Sequence, residues 1–207
     1  MHKKTLAFSL AVAGLLVACA TQLPEAEVEK RAEAAYEQAF TNSGRADMIA
    51  RLKQDETQQL CTRYRSNPAK EIADRIEKSQ LLTIEYPASG RLMGDWRLGE
   101  KIAQDGWGLR FTDNDPKRPN GGNCYACHRL APQELSFGTI GPSLYQFGKQ
   151  RGTSEAIQRY TYGKIYNAQA FAACSNMPRF GHNKVLTQEQ ITHVVALLLD
   201  PASPVNK

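Results

Sequence analysis

Long apolar runs, basic clusters and alternating patterns are nearly absent from this sequence of 207 residues. Beyond the N-terminal segment, no stretch is long and apolar enough to predict a transmembrane helix. No basic helix carries interleaved aromatic residues, which argues against nucleic-acid binding. No segment shows the two-residue alternation of a β-strand, and there is no internal repeat. The sequence therefore predicts an all-α fold.

The net charge of the chain is also small. The formal net charge is +5, of which Lys3 and Lys4 contribute two. Residues 20–93 carry 11 basic and 12 acidic side chains, and residues 94–207 carry 13 basic and 9 acidic ones. The second part is therefore mildly positive, which is compatible with an anionic partner or substrate but does not specify one.

The N-terminus predicts export from the cytoplasm. Lys3 and Lys4 precede an apolar run over residues 6–18, which is too short to span a bilayer and is typical of a secretory signal. The stretch L-V-A-C over residues 16–19 is similar to a bacterial lipobox, which would make Cys19 the lipidated first residue of the mature chain. Ordinary signal cleavage around Cys19 is the alternative. Either route leads to the periplasm, with a membrane anchor only in the first case.

Helical periodicity predicts two parts after the signal segment. The helices expected before residue 90 cover residues 25–40, 46–64 and a third segment that Asn67 would cap, with Pro68 in its first turn. The stretch T-I-E-Y-P-A-S-G, residues 83–90, has linker composition. The predicted organisation is a signal segment over residues 1–19, a helical extension with its linker over residues 20–90, and a second domain over residues 91–207.

The second domain is expected to contain helices over residues 95–104, 154–166 and 187–200. Thr187 and Gln190 have the spacing of a capping box at the start of the last of these helices, and Pro201 ends it. Loops are predicted between these helices.

The motif C-Y-A-C-H, residues 124–128, is the most specific chemical signal in the chain. In an exported protein, C-x-x-C-H predicts one covalently attached c-type haem. Cys124 and Cys127 would form the two thioether bonds, and His128 would ligate the iron. A zinc site would need further ligands, and no second C-x-x-C exists. Thioredoxin-like dithiol chemistry would need a βαβ context, which this chain does not predict.

A haem iron held by His128 has a sixth coordination position. Met177 is the favoured ligand because it lies in an irregular loop, S-N-M-P-R-F-G, after the motif. His182 in the same loop is the main alternative, and His193 and Met93 are weaker ones. A methionine ligand would raise the reduction potential relative to a second histidine. Pro142 is predicted to accept a hydrogen bond from His128 through its carbonyl and so to orient the imidazole ring.

Cysteine is scarce, with five residues in the whole chain. Cys19 belongs to the signal segment, and Cys124 and Cys127 belong to the motif, so Cys61 and Cys174 are left over. In an oxidising compartment these two are candidates for a structural disulfide. Two unpaired buried thiols and, more remotely, a redox-active thiol pair are the alternatives.

The order of these motifs resembles class I monohaem cytochromes c. The segments G-N-C-Y-A-C-H, G-T-I-G-P-S-L, K-I-Y-N-A-Q-A-F, N-M-P-R-F-G and the closing L-L-L-D-P-A-S-P-V-N-K together resemble the SoxX family of sulfur-oxidation cytochromes. The resemblance covers residues 91–207. It implies a cytochrome c-like domain in which Cys124 and Cys127 attach the haem and His128 and Met177 ligate the iron.

The resemblance also implies a partner and an activity. SoxX-like proteins pair with a SoxA-like haem subunit, and the SoxAX heterodimer conjugates thiosulfate to a cysteine of the carrier SoxYZ (L-cysteine S-thiosulfotransferase). This chain would be the electron-transfer subunit, without catalytic residues of its own, and would pass electrons transiently to a downstream cytochrome. Arg129 and Arg179 are expected beside the exposed haem edge where partners dock. A free-standing periplasmic electron carrier is the alternative function.

Overall fold

The computed structural model describes residues 23–40, 53–110, 112–115 and 117–207. The chain divides into two compact units, Met1–Leu52 and Lys53–Lys207. The division therefore falls at a different place from the predicted linker at residues 83–90. The predicted signal segment, Cys19 and the first half of the helix expected over residues 46–64 lie outside the described residues.

The first unit contributes one described helix, α1 (Glu25–Phe40). It has two acidic residues in its first turn, which favour a helix N-terminus. Val28 and Tyr36 on this helix are 50% and 60% exposed.

The described residues of the second unit form six α-helices and three 3₁₀ turns. The helices are α2 (Glu56–Arg63), α3 (Lys70–Leu81), α4 (Trp96–Gln104), α5 (Phe147–Arg151), α6 (Glu155–Tyr166) and α7 (Gln188–Leu199). The 3₁₀ turns are Cys124–Ala126, Ala168–Ala170 and Pro204–Asn206. Among the described residues there is no strand, so the predicted all-α class is confirmed for this part of the chain.

Helices α2 and α3, with their caps, form the segment that we call the N-terminal hairpin, residues 55–82. Asp55 begins α2 with a capping box, in which its carboxylate accepts from the Gln58 amide. The predicted cap of α3 at Asn67 is wrong, since α3 begins at Lys70 after Ala69. The turn that closes α2 extends to Asn67, whose N–H donates to the Tyr64 carbonyl, so α3 begins only after Pro68 and Ala69 have followed this turn.

The core of the unit forms around α7. The capping box of Thr187 and Gln190 is present as predicted and begins this helix. Eight residues of α7 are buried, and Tyr162, Ile165 and Leu130 belong to the same apolar cluster. Helix α4 crosses α7 closely, because Gly99 lies against the His193 carbonyl and leaves no room for a Cβ.

The last residues of the chain are part of this core. Val205 and Asn206 are almost fully buried. The Asn206 side chain accepts from the Gly148 amide at 2.9 Å and donates to the carbonyls of Leu198 and Asp200 at 3.1 and 2.9 Å. These bonds satisfy carbonyls at the C-terminus of α7 that have no partner within the helix.

Candidate haem-binding site

The C-Y-A-C-H motif folds into one tight turn. Cys124–Ala126 is a 3₁₀ turn, and Asn123 precedes it with a left-handed φ of 46°. The Cys124 carbonyl accepts from the amides of Cys127 at 3.1 Å and His128 at 2.9 Å. The motif therefore folds into a compact local structure that contains all three of its residues predicted to bind a haem, Cys124, Cys127 and His128.

A second segment, the loop over residues 138–144, is held against this turn by backbone hydrogen bonds. The amides of the loop donate to carbonyls of the motif or of the residue after it, each at 2.8 Å: Gly138 to Tyr125, Gly141 to Cys127 and Leu144 to Arg129. We call residues 124–128 together with this loop the proximal segment. Its parts are close in sequence, and backbone groups join them.

The imidazole of His128 has a defined orientation within the proximal segment. Its Nδ1 lies 2.7 Å from the Pro142 carbonyl oxygen. A carbonyl oxygen only accepts, so this hydrogen bond requires the proton on Nδ1 and leaves Nε2 with a free lone pair. The Gly141 backbone packs closely against the ring, and a Cβ at this position would overlap the ring atoms. Histidines that bind metals commonly have one nitrogen oriented in this way by a carbonyl.

An apolar cavity lies beside the motif. The volume of the cavity itself is about 30 Å³, and it lies within an empty space of about 360 Å³ that includes open solvent. The residues that line it include both Cys124 and Met177, and the others are Ala103, Leu130, Ile165, Phe180, Leu186, Val194, Leu197 and Leu198. Burial raises the pKa of the Cys124 thiol to about 12. The structure thus brings a motif cysteine and the predicted methionine ligand to one apolar space.

The other candidate iron ligands are placed elsewhere. His193 accepts a hydrogen bond at Nδ1 from the Asp95 amide at 2.8 Å, at the start of α4. Met93 packs at the edge of the core and does not line the cavity. His182 does not line it either, and burial together with the positive charge of Arg179 lowers the pKa of its imidazole.

Met177 belongs to a loop, residues 174–182, which we call the methionine loop. Contacts with the N-terminal hairpin hold it on both sides of Met177. Cys174 forms a disulfide with Cys61 on α2, and Arg179 donates to Asp55 Oδ2 at 2.6 Å and to Gln80 Oε1 at 3.2 Å. The sequence identified the two cysteines but not Asp55 or Gln80, because a lone Asp or Gln on a helix carries no signal of a distant partner.

Arg179 is only 5% exposed, so the prediction that it flanks an exposed docking surface is wrong. Its guanidinium faces Asp55 and Gln80 because a buried cation requires an anion and hydrogen-bond acceptors. The same ion pair also affects the pKa of the Asp55 carboxylate. Burial raises its pKa, but the Gln58 amide and Arg179 outweigh that effect and hold it below 3.8.

Two buried donors have no hydrogen-bond partner among the described residues: Trp107 Nε1 and Arg129 Nε. Trp107 lies in the loop before the motif, and Arg129 directly follows His128. Unpaired buried donors are rare in proteins and call for an acceptor. The sequence did not single out either one as a binding residue.

The alternatives to haem for this motif find little support. Among the described residues, no group of three or more His, Cys, Asp or Glu side chains is arranged to hold a metal ion. Catalytic dithiols need a thiol whose pKa is lowered, whereas burial raises that of Cys124. Cys61 and Cys174 are joined to each other rather than free.

Comparison with known proteins adds one relative. An uncharacterised lipoprotein of Aquifex aeolicus (strain VF5) is 33% identical over 216 aligned positions, which cover 99% of this chain and all of the relative. The chain belongs to the family of this lipoprotein. No protein-family profile matches it. Within the described residues, no helix has the length and apolar character that crossing a membrane would require.

Proposed function

We propose that the protein is a monohaem c-type cytochrome that transfers electrons. Cys124 and Cys127 would attach the haem, and His128 and Met177 would ligate its iron. The observation that carries the proposal is the apolar cavity lined by Cys124 and Met177, beside an imidazole whose Nδ1 is bonded to the Pro142 carbonyl.

The residues around the cavity match the chemistry of a haem. Its apolar lining suits a porphyrin ring. Trp107 and Arg129 do not line the cavity, but they lie before and after the motif in the sequence, and the unpaired Trp107 Nε1 and Arg129 Nε are donors of the kind that carboxylates such as propionates require. When bound, the haem supplies reversible one-electron chemistry. Pro142 keeps His128 in the tautomer that presents Nε2, and the apolar side chains exclude water from the site. A thioether ligand and low polarity both favour a high reduction potential.

We further propose that residues 91–207 form a class I cytochrome c-like domain of the SoxX type. The chain would then be the electron-transfer subunit of a SoxAX complex that conjugates thiosulfate to SoxYZ. The support is the sequence resemblance. The structure adds a physical role for the C-terminal segment, which is part of that resemblance. The segment P-A-S-P-V-N-K completes the core through Val205 and Asn206 instead of trailing as a free tail.

A permanent partner would need an apolar docking surface close to the motif. Leu135 and Ile140 are 101% and 77% exposed, and Ile140 lies next to Gly141, whose amide is bonded to the Cys127 carbonyl. Exposed large aliphatic side chains within a few residues of each other in sequence are the material from which an apolar interface with an obligate partner could be built. This surface is the candidate contact for a SoxA-like haem subunit.

We also propose export to the periplasm with a lipid anchor at Cys19. The support is the lipobox-like sequence and the name of the Aquifex relative, which is called a lipoprotein. Mass spectrometry of the protein from membranes checks this directly. A mature N-terminus at Cys19 with attached acyl chains is expected, and an unmodified N-terminus downstream of Cys19 would exclude the anchor.

The central test is purification of the full chain from bacteria that attach c-type haem, alone and with a co-expressed SoxA-like protein. Haem colour should remain on the chain in a denaturing gel, and loss of the colour on denaturation would overturn the cytochrome proposal. A SoxX-like subunit should co-purify with its partner at both low and high salt, since an interface of about 2,000 Å² or more with an apolar core is little screened. A chain that stays monomeric throughout and exchanges electrons normally would be a free-standing carrier.

A further inference from the structure

The N-terminal hairpin lies outside the part of the chain that resembles cytochromes, yet its contacts surround Met177. On one side, Cys61 is bonded to Cys174, three residues before the methionine. On the other side, Asp55 and Gln80 bind the guanidinium of Arg179, two residues after it. The short stretch with Met177 at its centre is therefore attached at both ends to the same pair of helices.

These attachments are themselves held in place. The Asp55 carboxylate caps α2 by accepting from the Gln58 amide at 2.8 Å. The Gln80 amide group donates to Thr57 at 3.0 Å, and its oxygen also accepts from Asn167 at 2.9 Å. Gln80 is 8% exposed, so these bonds are sheltered from water. The acceptors for Arg179 are thus oriented before the methionine loop docks on them.

The disulfide sits in an apolar cluster of its own. Cys61, Ile76 and Cys174 form this cluster, and Ile72 and Ala173 pack against it. The Ala173 amide also donates to Glu77 Oε1 at 2.9 Å. The start of the methionine loop is therefore fixed to α2 by a covalent bond and to α3 by a hydrogen bond.

We infer that Cys61, Asp55 and Gln80 are positioning residues for the Met177 ligand, and that the N-terminal hairpin exists in this protein to hold that ligand on the iron. The inference rests on the proposed function. A thioether is an uncharged ligand that leaves the iron when its loop moves away. Restraining both ends of the loop lowers the entropy that Met177 would gain by leaving.

The test uses the full-length, haem-loaded protein and three variants. The double variant Cys61→Ala/Cys174→Ala removes the disulfide without leaving a free thiol near the iron. Asp55→Asn removes the charge that faces Arg179 but keeps a good helix N-cap, so α2 should still begin at the same residue. The control is Asp74→Asn, which breaks an ion pair of the same hairpin, from Lys70 Nζ to Asp74 Oδ2 at 2.6 Å, with both side chains exposed.

The readouts are the long-wavelength absorption band of ferric iron bonded to a thioether and the affinity for added imidazole. In the double variant and in Asp55→Asn, the band should weaken and imidazole should bind about tenfold more tightly or better, because the disulfide or the charged hydrogen bond, respectively, no longer holds the loop. Asp74→Asn should behave like the wild type. Circular dichroism establishes that each variant is folded at the temperature used, so the Asp55→Asn result decides the question if the double variant does not fold.

The outcomes separate the inference from the function on which it rests. Wild-type protein with covalent haem and the thioether band, together with folded variants that keep the band and the imidazole affinity, overturns the positioning role alone. A purely structural hairpin would give that result, with only the unfolding temperature lowered. Wild-type protein without covalent haem, or without the thioether band, overturns the proposed ligation and the inference with it.

Discussion

The proximal segment and the methionine loop reach the same apolar cavity, through Cys124 and Met177, but different kinds of contact hold them. The bonds that join the 138–144 loop to the motif and to the adjacent Arg129 involve backbone groups or one ring nitrogen and span 13 to 15 residues of sequence. On both sides of Met177 the methionine loop is joined to the N-terminal hairpin by side chains at separations of 99 to 124 residues, and the amides of Gly181 and His182 also donate to the Tyr166 carbonyl. The first region is therefore held by contacts between residues close in sequence, whereas the second depends in addition on side chains of the distant N-terminal hairpin.

This contrast predicts that damage to the two regions has different consequences. If the proposed haem is present, a change in the proximal segment should affect its covalent attachment and the orientation of His128. A change at the methionine loop or the hairpin should leave the cofactor attached and alter only how the sixth position is filled. The five predictions below run from the largest expected effect to the smallest.

The largest effect is expected from Cys124→Ala/Cys127→Ala. Without thiols no thioether can form, so the chain should carry no haem colour on a denaturing gel. The hairpin variant Cys61→Ala/Cys174→Ala should keep its colour in the same experiment. Equal loss of attached haem in both variants would contradict the division between the two regions.

Met177→Ala is expected to keep the haem but lower its reduction potential, because a weakly electron-donating thioether is lost from the sixth position. Exogenous imidazole or cyanide should then bind the iron readily, which a spectral titration measures. His182→Ala is the matched control in the same loop and should change neither property. The reverse pattern would make His182 the ligand and Met177 a packing residue.

Loss of the disulfide in Cys61→Ala/Cys174→Ala should lower the free energy of unfolding by about 2–5 kcal/mol. The loop-entropy account puts closure of a loop of this length, with a sequence separation of 113 residues, near the upper end of that range. Denaturant unfolding of the unreduced proteins measures the difference. An unchanged unfolding free energy would mean that the cysteines are not joined in the purified protein, which mass spectrometry after alkylation would also reveal.

Gly141→Ala tests the proximal segment without replacing any of the residues proposed to bind the haem. A Cβ there would overlap the His128 ring, so the ring or the loop must shift, at a cost of about 1–3 kcal/mol of unfolding free energy. The visible spectrum should change with it, since His128 moves. Gly106→Ala is the control, because the nearest atom to its added Cβ is 3.4 Å away and lies in an ordinary contact. Similar effects of the two substitutions would show that crowding on His128 is not the cause.

The smallest effect concerns pH and should be confined to the methionine loop. Burial and the charge of Arg179 lower the pKa of His182 in the folded protein below 6.5, although Asp55 opposes this. Because the unfolded chain takes up this proton at higher pH, the stability is complete above pH 6.5 and declines as pH falls through the lowered value. A further decline is expected below 3.8, where Asp55 becomes protonated and its bond to Arg179 weakens.

Unfolding midpoints measured from pH 8 to pH 3 check this, with His182→Gln as the comparison. The variant should lose the first decline and keep the second. A wild-type profile that is flat between pH 6.5 and 4 would contradict the role assigned to His182.

Most of the predictions that the structure reproduces concern residues close in sequence, and the exception is the disulfide of Cys61 and Cys174, which the scarcity of cysteine made a candidate. The capping box at Thr187 and Gln190 and the helical class follow from local patterns that need no partner elsewhere. The contact of His128 with the Pro142 carbonyl likewise joins residues 14 positions apart. The error at Asn67 arises because the turn that closes α2 extends to this residue, so the next helix begins later than its sequence pattern indicates.

The sequence by itself determined the motif turn, the main helices and the residues that bear the proposed chemistry, because bond geometry and short-range hydrogen bonds act within a few turns of chain. Only the tertiary structure decided what the hairpin contacts. It pairs Cys61 with Cys174, and it buries Arg179 against Asp55 instead of leaving it at the surface. The physical reason is that the partners of a buried charge and of a cysteine outside the motif are set by packing. Packing brings together residues more than a hundred positions apart.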